Sequence, residues 1–178
     1  MWPVLKNLLG GRRMAALEAG ASAPQFELPA MDGSKFSLQD ALTRGPVLAV
    51  FFKISCPVCQ YALPYFERIF KTYGKEKLSI VGISQNDKKD TADFMRKYGV
   101  TFPVILDDTK TFPASNAYGL TNVPTAFWIS ADGDIEVSSV GWALKDFEEI
   151  ARKAASITAR APEPLFQSTE QIADFRAG

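Results

Sequence analysis

The stretch that most limits what this chain can become runs from Val47 to Cys59, VLAVFFKISCPVC. Six apolar residues in a row, Val47 to Phe52, read as a buried strand. The strand runs into two cysteines separated by two residues, and then into a helical pattern. Pro57 suits the first helical position, where a missing N–H leaves nothing unpaired. Cys56 then becomes the N-cap, whose side chain accepts a hydrogen bond from a backbone N–H two or three residues on. A sulfur placed there feels the positive end of the helix dipole, which favours thiolate over thiol. Cys59 lies three residues further on the same face, within the roughly 5–6 Å that a disulfide tolerates. The geometry describes a reversible dithiol.

These are the only two cysteines among 178 residues, and the chain has no histidine. A bridge across two intervening residues removes almost no chain entropy, which argues against a stabilising disulfide. A zinc site needs two further ligands, and neither Cys nor His remains to supply them. Redox chemistry is the reading left, with no metal and no cofactor expected. Lys+Arg and Asp+Glu balance at 20 each, so no electrostatic reason exists to propose nucleic acid or an anionic membrane as a partner. Residues 1–20 place apolar residues before the arginines, and Gly10-Gly11 and Glu18 interrupt what a signal peptide would need. They read as a short amphipathic helix packing on the domain or on a second subunit. A cytoplasmic location is expected.

Along the chain, Met31-Asp32-Gly33-Ser34 is a turn between Phe26/Leu28 and Phe36/Leu38, a β-hairpin leading into a helical turn at Ser37 to Thr43. The helix after Cys56 carries Val58, Ala62, Phe66, Ile69 and Tyr73 near one face and stops at Gly74. Pro64 falls inside it, where it should kink the axis. Tyr61, Tyr65 and Phe70 read as core or rim aromatics. A second strand spans Lys77 to Ser84, then Gln85 to Asp87 caps a helix that runs from about Lys88 to Tyr98 and ends at Gly99. Phe102 to Leu106 is a third strand, followed by an exposed acidic turn at Asp107-Asp108 and a short helix ending at Tyr118-Gly119. Val123 to Ser130 and Ile135 to Val140 flank the hairpin turn Ala131-Asp132-Gly133-Asp134. A last helix runs from Ala143 to about Thr158, and Pro162 to Gly178 is a weakly patterned, surface-draped tail.

Strands alternating with helices and closing with a hairpin and helix indicate an α/β sandwich around a mixed central sheet. Three features give the chain a resemblance to the thioredoxin fold, in its TlpA-like and AhpC/TSA redoxin branch. They are Cys56-Pro57-Val58-Cys59 with Pro64 five residues later, Asn122-Val123-Pro124-Thr125 entering a strand, and Val140-Gly141 leaving the last hairpin strand. The inserted strand–helix around Gly82 to Gly99 resembles the redoxin branch in particular. The resemblance covers residues 22–158. It divides the chain into an N-terminal extension at 1–21, a redoxin domain at 22–160 and a C-terminal tail at 161–178. It implies a three-layer sandwich with an N-terminal β-hairpin, a cis bond before Pro124, and a substrate groove at Ser55, Pro57, Val123, Pro124 and Gly141.

What the resemblance implies chemically is thiol–disulfide exchange, with Cys56 attacking and Cys59 resolving. The partners are a protein or small-molecule disulfide and a thiol electron donor. The chain departs from the family at Ser55, which replaces an aromatic, and at Val50 and Ala62, which replace acids that would take the Cys59 proton. Water, Lys53 or a more distant carboxylate must do so here. The competing reading is a peroxiredoxin-like thiol peroxidase in which Cys59 attacks peroxide. Phe52, Cys56 and Pro124 stand where that family holds its pocket proline, threonine and arginine, which removes the donors that O–O cleavage needs.

Overall fold

The computed structural model describes residues 15–74 and 77–178. Along the chain run β1 (Glu27–Pro29), β2 (Lys35–Ser37), α1 (Leu38–Leu42), β3 (Val47–Phe52), α2 (Pro57–Tyr73), β4 (Ser79–Ser84) and α3 (Lys88–Tyr98). After them come β5 (Val104–Leu106), α4 (Pro113–Ala117), β6 (Thr125–Ile129), β7 (Ile135–Val140), β8 (Trp142–Ala143), α5 (Leu144–Ile157) and β9 (Phe175–Arg176). The central sheet has the order β5-β4-β3-β6-β7. β3, β4 and β5 run parallel, whereas β6 and β7 run antiparallel to their neighbours.

β3 is continuously apolar because it lies mid-sheet with both faces covered, all six residues being buried. Leu48, Val50 and Phe52 point to a core layer shared with α2, α3 and α5, where Phe94 packs on Phe52 at 5.4 Å between ring centroids. Val47, Ala49 and Phe51 point the other way, to Leu28 of the hairpin, Leu38 of α1, Ala114 of α4 and Tyr118. The inward face of α2 is wider than its apolar spacing suggests: Cys59, Leu63 and Glu67 join Ala62, Phe66, Ile69 and Tyr73. Val58 is only half-buried. The helix continues through Pro64 to Tyr73.

The expected amphipathic helix over 1–20 lies mostly outside the described residues. From Ala15 to Glu18 the chain is not helical, and Leu17 N–H donates to the Tyr118 carbonyl at 3.0 Å.

Two expectations are corrected. The Asp107-Asp108 turn is not uniformly exposed. Asp108 caps its own loop through Lys110 N and Thr111 N, but Asp107 is buried and accepts from Ala114 N (3.2 Å), Ser115 N (2.8 Å) and Ser115 Oγ (2.7 Å). The reason lies in α4. Its N-cap Phe112 sits in the left-handed region (φ 45°) and offers no side-chain acceptor, so Asp107 takes the first-turn donors instead. The tail, in turn, is not merely draped. Leu165, Phe166, Ile172 and Ala173 pack against the core layer beside α2, with Phe166 5.4 Å from Tyr65 and 5.3 Å from Phe147.

Directional bonds reinforce that docking. Arg68 grips Glu170 with two guanidinium bonds of 2.7 and 2.5 Å, and it holds the Glu170 carboxyl down at about 2. Tyr61 Oη accepts from Ala173 N at 3.0 Å, and Trp142 Nε1 donates to Ala173 O at 2.7 Å. Tyr61 and Tyr65 are therefore the tail's dock as well as rim aromatics. The contacts come from single residues spaced along the tail and follow no period, which leaves no pattern in the sequence.

Asp107→Ala is expected to lower stability by about 2–3 kcal/mol, since it strands buried donors at the start of α4. Urea unfolding followed by circular dichroism reads this as a lower midpoint; an unchanged midpoint would show that the donors find other partners.

Candidate active site

The carboxyl end of β3 delivers the chain to the site. Phe52 pairs with Ser84 in the parallel β3–β4 ladder, so the segments after both strands emerge side by side. The loop Lys53-Ile54-Ser55 is held from both directions. Ile54 N–H donates to Asn86 Oδ1 at 2.9 Å, and Ile54 O accepts from Gln60 Nε2 at 2.9 Å. Cys56 N–H closes the turn onto Lys53 O at 3.2 Å. Asn86 is itself set by its N–H on Ser84 Oγ at 3.1 Å. Asn86 lies in the capping segment before α3 and Gln60 in the first turn of α2, and nothing in their local sequence marks either as a site residue. The available signal was topological, because polar residues just after adjacent parallel strands meet at one sheet edge.

Cys56 is the N-cap of α2, with extended backbone (φ −84°, ψ 117°), and its Sγ accepts from Cys59 N–H at 3.3 Å. Pro57 occupies the first turn. The same sulfur lies 3.1 Å from Val123 O, so Cys56 is bracketed by a helix N-terminus on one side and the Val123–Pro124 loop on the other. That peptide bond is cis. Ser55 and Pro57 are exposed on the rim, whereas Val123 is half-buried and Pro124 buried. Gly141 N–H donates to Pro124 O at 2.7 Å, which ties the end of β7 to the loop. Ser55 and Pro57 thus flank Cys56 in the chain, Val123 meets its sulfur, and Gly141 joins the same loop through Pro124.

Cys59 differs in kind. It is fully buried among the core residues of α2, and burial pushes its thiol far above the usual range, with the adjacent Cys56 sulfur adding to the effect. Among the described residues no carboxylate is hydrogen-bonded to its sulfur. The buried acid on the same helix, Glu67, is occupied: it accepts from Thr101 N (2.7 Å), Phe102 N (3.2 Å) and Thr101 Oγ1, anchoring the approach to β5. Lys53 is exposed. Among the described residues no three Cys, His, Asp or Glu side chains gather to hold a metal ion.

The model of the AhpC/TSA family matches residues 19–138. The chain belongs to the AhpC/TSA family. A curated relative, the thiol-disulfide oxidoreductase ResA of Geobacillus thermodenitrificans (strain NG80-2), is 29% identical over 143 residues, 80% of this chain and 79% of that protein. The crystal structure of the thioredoxin domain of a thiol-disulfide oxidoreductase from Bacteroides vulgatus superposes with a TM-score of 0.69 at 18% identity, over 78% of this chain and 98% of that one. The peroxidoxin BcpB of Mycobacterium tuberculosis gives 0.63 at 22% identity, over 80% and 97%. The fold is thioredoxin-like, and this AhpC/TSA scaffold has neighbours that carry both names.

Iodoacetamide is expected to label Cys56 of the reduced, folded protein at neutral pH and to spare Cys59 until the pH becomes strongly alkaline. Peptide mapping reads the ratio, and Cys59 labelled ahead of Cys56 would reverse the placement.

Proposed function

We infer that the chain is a thiol–disulfide oxidoreductase working through the Cys56–Cys59 pair. One observation carries the reading: a half-buried sulfur at a helix N-terminus, with a second, fully buried sulfur one helical turn behind it. Family membership and the name of the ResA relatives support it.

In the proposed cycle the Cys56 thiolate attacks one sulfur of a substrate disulfide. The substrate S–S bond breaks, its other sulfur leaves as thiolate, and a mixed disulfide forms on Cys56. The backbone N–H of Cys59 faces the Cys56 sulfur and donates to it at 3.3 Å. Cys59 then loses its proton and attacks the Cys56 sulfur. The second substrate sulfur departs as thiolate, and two electrons have passed from the dithiol to the substrate. A thiol donor reduces the resulting Cys56–Cys59 disulfide and closes the cycle.

Resolution is the demanding step, because Cys59 must ionise in an apolar setting with its proton passing to water or to a group that is not hydrogen-bonded to it. While the pH lies below the raised Cys59 value, each unit increase gives about tenfold more thiolate. The release of a trapped mixed disulfide should therefore accelerate from pH 7 to pH 9, as stopped-flow mixing can measure. A flat profile would mean that an internal base takes the proton.

The peroxidase reading draws on the same family match, but its attacking sulfur would be the fully buried Cys59, with Cys56 and Pro124 in place of hydrogen-bond donors. The two readings separate in one experiment. Cys59→Ser is expected to accumulate mixed disulfides with partner proteins, and Cys56→Ser to accumulate none. With dithiothreitol as donor the wild type is expected to reduce insulin and to consume hydrogen peroxide only at the rate of an ordinary thiol. Fast peroxide turnover that survives Cys56→Ser and is lost in Cys59→Ser would make Cys59 the peroxidatic residue. We propose a cytoplasmic location, which fractionation of cells expressing the chain tests.

A further inference from the structure

The groove beside Cys56 is already filled by the chain itself. β9 pairs antiparallel with β8, Trp142 opposite Arg176 and Ala143 opposite Phe175, and Leu144 N–H donates to Asp174 O at 2.8 Å. Beyond Arg176 the backbone crosses Gly141 and comes to rest on Val123. A Cβ on Gly141 (φ 76°) would stand 2.4 Å from Arg176 O and 2.9 Å from Gly178 N. A Cβ on Gly178 would stand 2.6 Å from Val123 O, the same carbonyl that lies 3.1 Å from the Cys56 sulfur. Asn122 Nδ2 holds Gly178 O at 2.8 Å. Glycine is needed on both sides of this crossing because backbone packs directly on backbone.

We propose that residues 174–178 form a strap over the groove, and that an extended polypeptide carrying a disulfide must displace it to reach Cys56. The proposal rests on the oxidoreductase reading for what is being kept out, while the strap itself rests on geometry alone. The strap is held mainly through its main chain, which is how an extended peptide adds to a sheet edge. Strap and substrate are therefore ligands of one chemical class competing for one surface.

The tail is also built in two parts of unequal hold. Up to Ala173 it is anchored by Phe166 among Tyr65 and Phe147, by the Arg68–Glu170 pair, and by bonds from Tyr61 and Trp142. Past Ala173 it has the Leu144–Asp174 bond, a two-residue ladder, the Asn122 bond and the Arg176 guanidinium 4.0 Å from the centre of the Tyr61 ring, while Phe175 is 63% exposed. So short a ladder is weak on its own. The distal five residues can therefore peel away while the anchor stays docked.

Two variants test this: a chain ending at Asp174, and Gly178→Val, which keeps the full length but cannot lie on Val123. Both are compared with the wild type in labelling of Cys56 by a bulky maleimide and in reduction of insulin. Removing a competing internal ligand raises the fraction of competent molecules, so both rates are expected to rise about three- to tenfold. A synthetic Phe-Arg-Ala-Gly peptide should slow the truncated chain competitively. Reduction of the small disulfide 5,5′-dithiobis(2-nitrobenzoate) should change less than that of insulin, because it needs no extended groove. Maleimide labelling unchanged or slower in both variants, with thermal melts like the wild type's, would overturn the strap. If labelling rises but neither wild type nor variants reduce insulin, the strap stands and the oxidoreductase reading fails. If insulin reduction falls while labelling rises, the segment is a wall that substrates lean on, and the proposal is wrong.

Discussion

The hydrogen bond from Cys59 N–H to the Cys56 sulfur is the contact on which the site depends. It makes the helix cap of α2 the same atom that we propose as nucleophile. The bond exists only because β3 ends where it does, with Asn86 and Gln60 fixing Ile54 between strand and helix. A strand buried on both faces cannot shift register without moving apolar side chains into the wrong layer, so the loop that follows it inherits that rigidity. The Cys56 sulfur is thereby held at the carboxyl edge of a sheet that cannot easily slide. The cost falls on Cys59, which the same helix turns into the core, where burial raises its thiol far above the usual range.

Buried carboxylates elsewhere in the fold do structural work that frees the site from them. Glu67 fastens α2 to the approach of β5, and Asp107 organises the first turn of a helix that lacks a cap of its own. Each accepts from backbone N–H donors, a pairing that makes an interior anion tolerable. The Arg68–Glu170 pair is a third case, half-exposed, and it fixes the tail against the outer side of α2. The two ends of α2 thus have different tasks: the proposed chemistry at Cys56, and attachment of β5 and the tail further along.

Much of this was legible in the amino-acid order. The run Val47 to Phe52 specified a strand covered on both faces, and Pro57 after Cys56 specified the helix start and hence the cap. Asp87 and Gly99 bounded α3, and Asp132-Gly133 turned the last hairpin, because capping and turn chemistry act over three or four residues. The cysteine pair, alone in a chain without histidine, pointed to redox chemistry by the ligands it lacked.

Other features depend on residues far apart in the chain, and sequence order holds no periodic trace of them. Asn86 reaches Ile54 only because β3 and β4 run parallel. Asp107 is buried only because α4 folds back over it. Residues 161–178 lack the alternation of a strand, yet Tyr61, Arg68 and Trp142 give them partners about 30 to 110 positions away. Sequence by itself determined the elements and the dithiol, since these follow from local backbone preference and from side-chain period. The order of the two sulfurs, Cys56 at the cap and Cys59 turned inward, also follows from their places on the helix, whereas tertiary structure alone decided that the loop before Pro124 meets the Cys56 sulfur and that the chain's own strand lies over that loop, since close backbone approach exists only once distant segments are packed together.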